Sequence, residues 1–197
     1  LGLEKGKIVV DVSSWNTIDF EVLSENEHIS GVIFRIGYTG SDSFVPTIDD
    51  KALYYLENLK KFNIKYGIYY YGYSDNEALA LEEAKFVQGL IKEYDIKPTL
   101  GVYYDAEESW IGLSNYEVVV PTFVEYLSNW RYDVGVYGNY HAFYKSYLNS
   151  DVIKQFPLWV ANWSSFYPSG DLPKIWQYSD SGSVDGIKGK VDMNVYY

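Results

Sequence analysis

Lys65-Tyr-Gly-Ile-Tyr-Tyr-Tyr-Gly72 and Thr99-Leu-Gly-Val-Tyr-Tyr-Asp105, with the stretch from Asn76 to Tyr94 between them, decide the fold. The two outer runs are continuously apolar and aromatic, the pattern of strands covered on both faces. The stretch between them carries Ala80, Ala84, Val87, Leu90 and Ile91 on one face at helical spacing, behind Ser74 and Asp75 as candidate caps. Strand, helix and strand in that order make a parallel βαβ unit.

The same alphabet extends in both directions. Upstream lie Lys7-Ile-Val-Val-Asp-Val12 and Gly31-Val-Ile-Phe-Arg-Ile-Gly37. Downstream lie Asp133-Val-Gly-Val-Tyr-Gly138, Pro157-Leu-Trp-Val-Ala161, Pro173-Lys-Ile-Trp-Gln-Tyr178 and Lys190-Val-Asp-Met-Asn-Val-Tyr196, which brings the predicted strands to eight. Further helices are expected from Asp50 to Phe62 and from Ser114 to Trp130, the second with Ser114 as N-cap and Glu117 completing a capping box. Shorter helical pieces are expected over Thr17 to Glu27 and Asn139 to Phe156. Beyond residue 156 the helical signal fades, and connections such as Ser179-Asp-Ser-Gly-Ser183 join the last strands. Eight strands alternating with helices suggest a closed β/α barrel, which in regular form needs roughly 250 residues. The chain has 197. The expected fold is therefore an irregular (β/α) TIM-like barrel with about five helices and a β-only C-terminal finish. It forms one domain over residues 7–197, behind an N-terminal tail at 1–6. An open doubly wound sheet is the alternative, weakened because Gly37-Tyr-Thr-Gly40 has two glycines where a dinucleotide fingerprint needs three.

Composition narrows the function. Sixteen basic against 27 acidic residues, a net charge of -11, argue against nucleic acid and against anionic lipid. Cysteine is absent, which removes disulfides and thiol chemistry, and only His28 and His141 are present, too few for a histidine-rich metal site. No apolar run approaches the ~20 residues of a membrane span. No signal peptide is visible, and the start at Leu1 suggests a processed protein or an excised module.

In a parallel barrel, function collects where the strands end at their C-termini. Asp11 ends the first run, Arg35 lies on the second, and Tyr69 and Tyr71 end the third. Asp105-Ala-Glu107 ends the fourth, and Asp192 and Asn194 lie on the eighth. Asp105 and Glu107 are the sharpest pair. Alternation puts residues i and i+2 on one face, roughly 6 to 7 Å apart by the ~3.3 Å rise per residue. Two carboxyls so placed push their pKa values apart, keeping one protonated and the other ionised, which is the division that glycoside cleavage requires. Glu108 faces away by parity and is assigned to the surface. Asp19, Asp42, Asp49, Asp50 and Asp180 are read as caps or turns. Tyr69, Tyr71, Tyr104, Tyr137, Trp159, Trp176 and Tyr178 cluster on strands, and an acidic groove walled by such rings suits carbohydrate, although parity sends some, such as Tyr104, into the helix layer. The acids could bind a hard cation, but a cation would suppress the protonated acid, so neither metal nor cofactor is expected.

Asp11-Val-Ser-Ser, Arg35-Ile-Gly37, Gly67-Ile-Tyr-Tyr-Tyr71, Asp105-Ala-Glu107, Tyr137-Gly138, Trp159-Val-Ala161, Trp176-Gln-Tyr178 and Val191-Asp-Met-Asn194 follow one another in an order that resembles glycoside hydrolase family 25, the lysozymes of phage endolysins and bacterial autolysins. The match runs from about Lys7 to Tyr197. The resemblance implies hydrolysis of the β-1,4 bond from N-acetylmuramic acid to N-acetylglucosamine in peptidoglycan. Carried over by position, Glu107 is the general acid, Asp105 orients the 2-acetamido group, and Asp11 and Asp192 are supporting acids. Arg35, Tyr69, Tyr71, Tyr137, Trp159, Trp176, Gln177 and Asn194 are the substrate-binding set. Retention through the acetamido group is the favoured route; a nucleophilic Asp105 and inversion remain open. The resemblance also implies a monomeric catalytic domain, extracellular or at the cell wall, alone or attached to a wall-binding module. Trp15-Asn16 and Asn162-Trp163 depart from the family pattern, at positions expected near the groove rim. The competing readings are a chitinase-like hydrolase and a carbohydrate-binding barrel without catalysis.

Overall fold

β1 (Ile8–Val12) closes a ring, because it is paired along both edges. In the computed structural model, which describes residues 7–130, 132–168 and 170–197, β1 runs parallel to β3 (Ile29–Thr39) and antiparallel to β11 (Val191–Tyr196). From β3 the ring continues in parallel through β5 (Tyr66–Tyr71), β6 (Val102–Asp105), β7 (Val134–Asn139), β8 (Leu158–Ala161) and β9 (Ile175–Gly182). β9 then pairs antiparallel with β11. All eight expected strands are present, and closure excludes the open sheet. The expected tail at 1–6 lies outside the described residues.

The direction of the last strand was not legible beforehand. Parallel neighbours need a long crossover, usually helical, whereas antiparallel ones can be joined by a short connection. Only the two-residue β10 (Ile187–Lys188) separates β9 from β11, and it pairs with β2 (Thr17–Ile18) outside the ring. β4 (Pro46–Ile48) lies against the end of β3.

Around the ring stand α1 (Phe20–Ser24), α2 (Ala52–Lys61), α3 (Glu77–Glu93), α4 (Leu113–Ser128), α5 (Tyr140–Lys145) and α6 (Asp151–Lys154). The late helices have shrunk to six and four residues, which is how the fold fits the chain length. α3 buries the predicted face, Ala80, Ala84, Val87, Leu90 and Ile91, and with it Glu83. Its cap is Asn76, whose side chain accepts from the Leu79 N–H at 3.0 Å; Ser74 and Asp75 lie just outside. The capping box on α4 does not form. Gly112, at φ +78, enters the helix without a side-chain cap, Ser114 is already inside, and Glu117 instead accepts from Ser150 Oγ at 2.6 Å, tying α4 to the start of α6. The expected helical piece from Thr17 is split, two residues of strand preceding α1, which Asp19 caps as expected.

Period-two alternation separates two cores. Val10, Val32, Phe34, Ile68, Tyr104, Val136 and Val160 face the helices. Val9, Ile33, Leu100, Tyr103, Trp159 and Ile175 fill the barrel, with Tyr69 and Tyr137 packed against them. Gly135 is small for a packing reason: a Cβ there would stand 2.3 Å from the Pro157 carbonyl oxygen and 3.1 Å from the Tyr103 ring.

Candidate active site

The functional layer lies one step of alternation above the apolar filling. Asp11 follows Val9, Arg35 follows Ile33, Tyr71 follows Tyr69, Asp105 follows Tyr103 and Gln177 follows Ile175, each by two residues. Strand register then brings them together: Asp11 opposes Asp192, Asn194 opposes Gln177, and Asp105 stands between Tyr71 and Tyr137. Because β11 is antiparallel, Asp192 near its start lies at the mouth where the parallel strands end.

Asp11 is the hub of a buried amide network. Its Oδ2 accepts from Gln177 Nε2 at 2.9 Å and from Asn194 Nδ2 at 2.8 Å. Asn194 Nδ2 also donates to the Val9 carbonyl at 3.1 Å, and its Oδ1 accepts from Trp159 Nε1 at 2.7 Å. Gln177 Oε1 accepts from Tyr137 OH and from Trp163 Nε1, both at 3.1 Å. Burial, then the charge of Asp192, pushes the Asp11 carboxyl well above the usual carboxylate range, while the two amides pull it back. Asp192 is also raised, first by burial; its contact with Asp11 opposes this, and the charges of Asp180 and Glu107 add to it.

Asp105 and Glu107 meet as predicted but in unlike settings. β6 ends at Asp105, so Glu107 lies beyond the ladder and is exposed, while Asp105 is buried. Asp105 Oδ1 is enclosed and has no hydrogen-bond partner among the described residues. Burial, then the charge of Glu107, and after it that of Asp11, pushes the Asp105 carboxyl well up, with Arg35 opposing. In the free protein the environment therefore favours a proton on Asp105. Around the pair stand Tyr69 and Tyr137, whose phenols are pushed up by burial first and then by the site's acids, so they stay protonated, Tyr137 giving its proton to Gln177.

Three expectations change. Trp159 is 1% exposed, in edge contact with Tyr69, Tyr103 and Tyr137, and so forms the floor beneath the acids instead of a wall that sugar could touch. Trp176, also 1% exposed, points outward between Tyr167 and Tyr178 and donates Nε1 to the Asn162 carbonyl at 2.8 Å. Parity could have found this, since Gln177 beside it faces in. Glu108 is not a free surface acid. It accepts from Tyr71 OH and from Trp110 Nε1, and its N–H donates to Tyr116 OH, because strand parity has no meaning past the last paired residue.

Asp49, read as a turn residue, accepts from the Lys51 N–H but is also the buried partner of Arg35, with Nε to Oδ2 at 2.6 Å. Arg35 Nη2 reaches Ser14 Oγ at 3.3 Å and its guanidinium lies over the Tyr38 ring. Tyr147 was missed entirely. Its hydroxyl donates to the Glu107 carbonyl at 3.3 Å, and its phenol is pushed up by burial and then by Glu107 and Asp105. It arrives from the connection between α5 and α6, and no local pattern announces it. Trp15 and Trp163, at the positions that depart from the family pattern, are exposed.

Known proteins are similar to this chain in sequence and fold. Glycosyl hydrolases family 25 matches the chain over residues 10–187. The autolytic lysozyme of Clostridium acetobutylicum is 31% identical over 190 residues, covering 93% of this chain and 53% of that protein. The modular autolysin LytC of Streptococcus pneumoniae superposes with a TM-score of 0.83 at 26% identity, covering 97% of this chain and 46% of LytC. A family 25 glycosyl hydrolase from Bacillus anthracis shares the fold, with a TM-score of 0.75 at 19% identity over 99% of this chain and 89% of its own. The chain thus spans about half the length of the first two. With an acid-lined mouth on a closed irregular barrel and a family match over most of its length, the chain belongs to glycosyl hydrolases family 25.

Proposed function

We propose that this domain is a muramidase, cleaving the β-1,4 bond from N-acetylmuramic acid to N-acetylglucosamine in bacterial peptidoglycan. The observation that carries the reading is the unpartnered buried Oδ1 of Asp105 beside the exposed carboxyl of Glu107. An N-acetyl sugar seated at the mouth brings an amide N–H to the Asp105 carboxyl. Accepting this bond favours the ionised form of Asp105. Glu107 then protonates the leaving oxygen as its bond to the anomeric carbon breaks. The acetamido oxygen bonds to that carbon, assisted by Asp105. Water opens the resulting ring, giving its proton to Glu107, and the product keeps the starting configuration. Tyr69 is a donor to the sugar, Tyr137, whose proton goes to Gln177, offers it an acceptor oxygen, Arg35 offsets the acids' charge, and Asn194 and Gln177 hold Asp11.

Two of the relatives are autolysins by name, and LytC has also been solved with a synthetic peptidoglycan ligand. That supports peptidoglycan as the partner and the cell wall as the place of action, with the domain working alone or beside a wall-binding module. The test is mass analysis of fragments from defined peptidoglycans, alongside chitin oligomers. Muramic acid at the new reducing ends supports the reading, and cleavage of chitin oligomers alone overturns it. Glu107→Gln should lose about 100-fold or more of the rate while remaining folded; full activity in that variant would reject the assignment.

A further inference from the structure

Three rings outside the acid centre, two exposed and one half-buried, form a continuous strip. Phe44 lies between β3 and β4, Tyr73 just after β5, and Trp110 just after β6, so three loops at the same mouth contribute one ring each. Phe44 and Tyr73 have ring centroids 5.6 Å apart, and Tyr73 and Trp110 5.1 Å apart. Phe44 remains 45% exposed and Trp110 50%. Phe44 holds a φ of +53, a region that bulky residues rarely adopt, in a turn closed by its N–H on the Gly40 carbonyl at 2.8 Å. The turn carries the ring to Tyr73 and not into the core.

The strip is tied to the acid segment. Glu108 follows Glu107 directly; its Oε2 accepts from Trp110 Nε1 at 3.1 Å, and its Oε1 accepts from Tyr71 OH. Between the strip and the mouth lies a cavity of about 360 Å³, lined among others by Arg35, Tyr38, Ser41, Tyr71, Tyr73 and Glu108. This is within the range of ligand pockets, with hydroxyl, charged and ring groups together in the lining. Pyranose rings present flat C–H faces to aromatics and hydroxyls at their edges, so the lining matches successive sugars of a glycan.

We propose that Phe44, Tyr73 and Trp110 form a ledge binding sugar units of the same glycan strand beyond the cleavage point, and that this ledge makes the domain prefer long strands. The inference rests on the peptidoglycan reading above. It extends that reading to the polymer's length and names residues that no step of the cleavage uses.

The experiment compares wild type, Trp110→Ala, Tyr73→Ala and Trp110→Phe on muropeptide-free glycan oligomers of four and of ten sugars. Trp110→Ala and Tyr73→Ala should lose about tenfold in kcat/KM on the long oligomer, mostly through KM, and less than about twofold on the short one. Trp110→Phe, which keeps a ring but not the bond to Glu108, should recover most of the loss. Equal losses at both lengths, or none, overturn the ledge. Calorimetric binding of the long oligomer to Glu107→Gln, with and without Trp110→Ala, is read separately. About tenfold weaker binding in the double variant supports the ledge even if no turnover is found, and unchanged binding overturns it. Lack of wild-type turnover on both oligomers counts against the muramidase reading alone.

Discussion

Asp11 and Asp192 face each other as register partners across the antiparallel seam where β11 meets β1. They come from the two ends of the chain, and the charge of Asp192 is second only to burial in raising the Asp11 carboxyl. Two like charges are thus held together at the point that closes the barrel, which costs stability whenever both are ionised.

Replacing Asp192 by Asn removes that repulsion. Asp192→Asn should lower the pH at which Asp11 gives up its proton and raise Tm at pH 7 by a few degrees. Carboxyl titration followed by NMR and a thermal melt check it; an unmoved Asp11 contradicts the seam.

Asn194 serves Asp11, Trp159 and the Val9 carbonyl at once. Asn194→Leu leaves an indole N–H and a buried carboxyl short of partners. The expected loss is about 3 kcal/mol, read from urea unfolding. A change below about 0.5 kcal/mol would mean that water or rearrangement replaces the amide.

Glu83 lies fully buried behind the site. It accepts from Thr39 Oγ1 at 2.7 Å, the Tyr73 N–H at 3.0 Å, Ser74 Oγ at 3.0 Å and Tyr104 OH at 2.9 Å. These donors sit at the ends of β3, β5 and β6, so one carboxylate on α3 pins three strands at the mouth. Glu83→Leu should destabilise by about 3 kcal/mol or more, whereas Glu83→Gln, which keeps one acceptor oxygen, should cost less. A Gln variant as stable as wild type would argue against the charge having a part in the anchor.

Asp11, Asp105, Asp192 and Glu83 all bind their protons more tightly folded than unfolded. For a raised carboxyl, the stabilisation is complete below the unfolded pKa of about 4 and is lost as pH rises through the folded value. Tm should therefore fall as pH rises above about 4, and Asp105→Asn should flatten that fall and raise Tm at pH 7 by a few degrees. A melt series across pH for both proteins decides it; a Tm that rises with pH overturns the sign.

The net charge of -11 opposes approach to an anionic wall. Activity on whole walls should rise with salt as the screening length shrinks to about 8 Å near physiological ionic strength. Activity on short uncharged oligomers should not change. Turbidity clearing and oligomer hydrolysis over the same salt series test this, and a flat response on walls contradicts it.

Local pattern was enough to read all eight strands, the main helices and the acids at Asp11, Asp105, Glu107 and Asp192, because buried strands write continuous apolar runs and an acid at the end of one stands out. It was enough to read Asp19 as a cap. It failed where partners are distant in the chain. Glu108 looked like surface until Tyr71 and Trp110 were placed on it, Asp49 looked like a turn until Arg35 reached it, and Ser114 looked like a cap although Gly112 enters the helix.

What the sequence determined by itself is the set of barrel strands and which acids sit at their ends, since period-two alternation and residue type are local properties. Only the tertiary structure decided which carboxyls burial pushes up, which aromatics lie buried, and how a residue near the C-terminus comes to face Asp11. Desolvation, exposure and strand direction all depend on what packs against a residue, and for Asp105, Trp159 and Asp192 those neighbours come from strands far away in the chain.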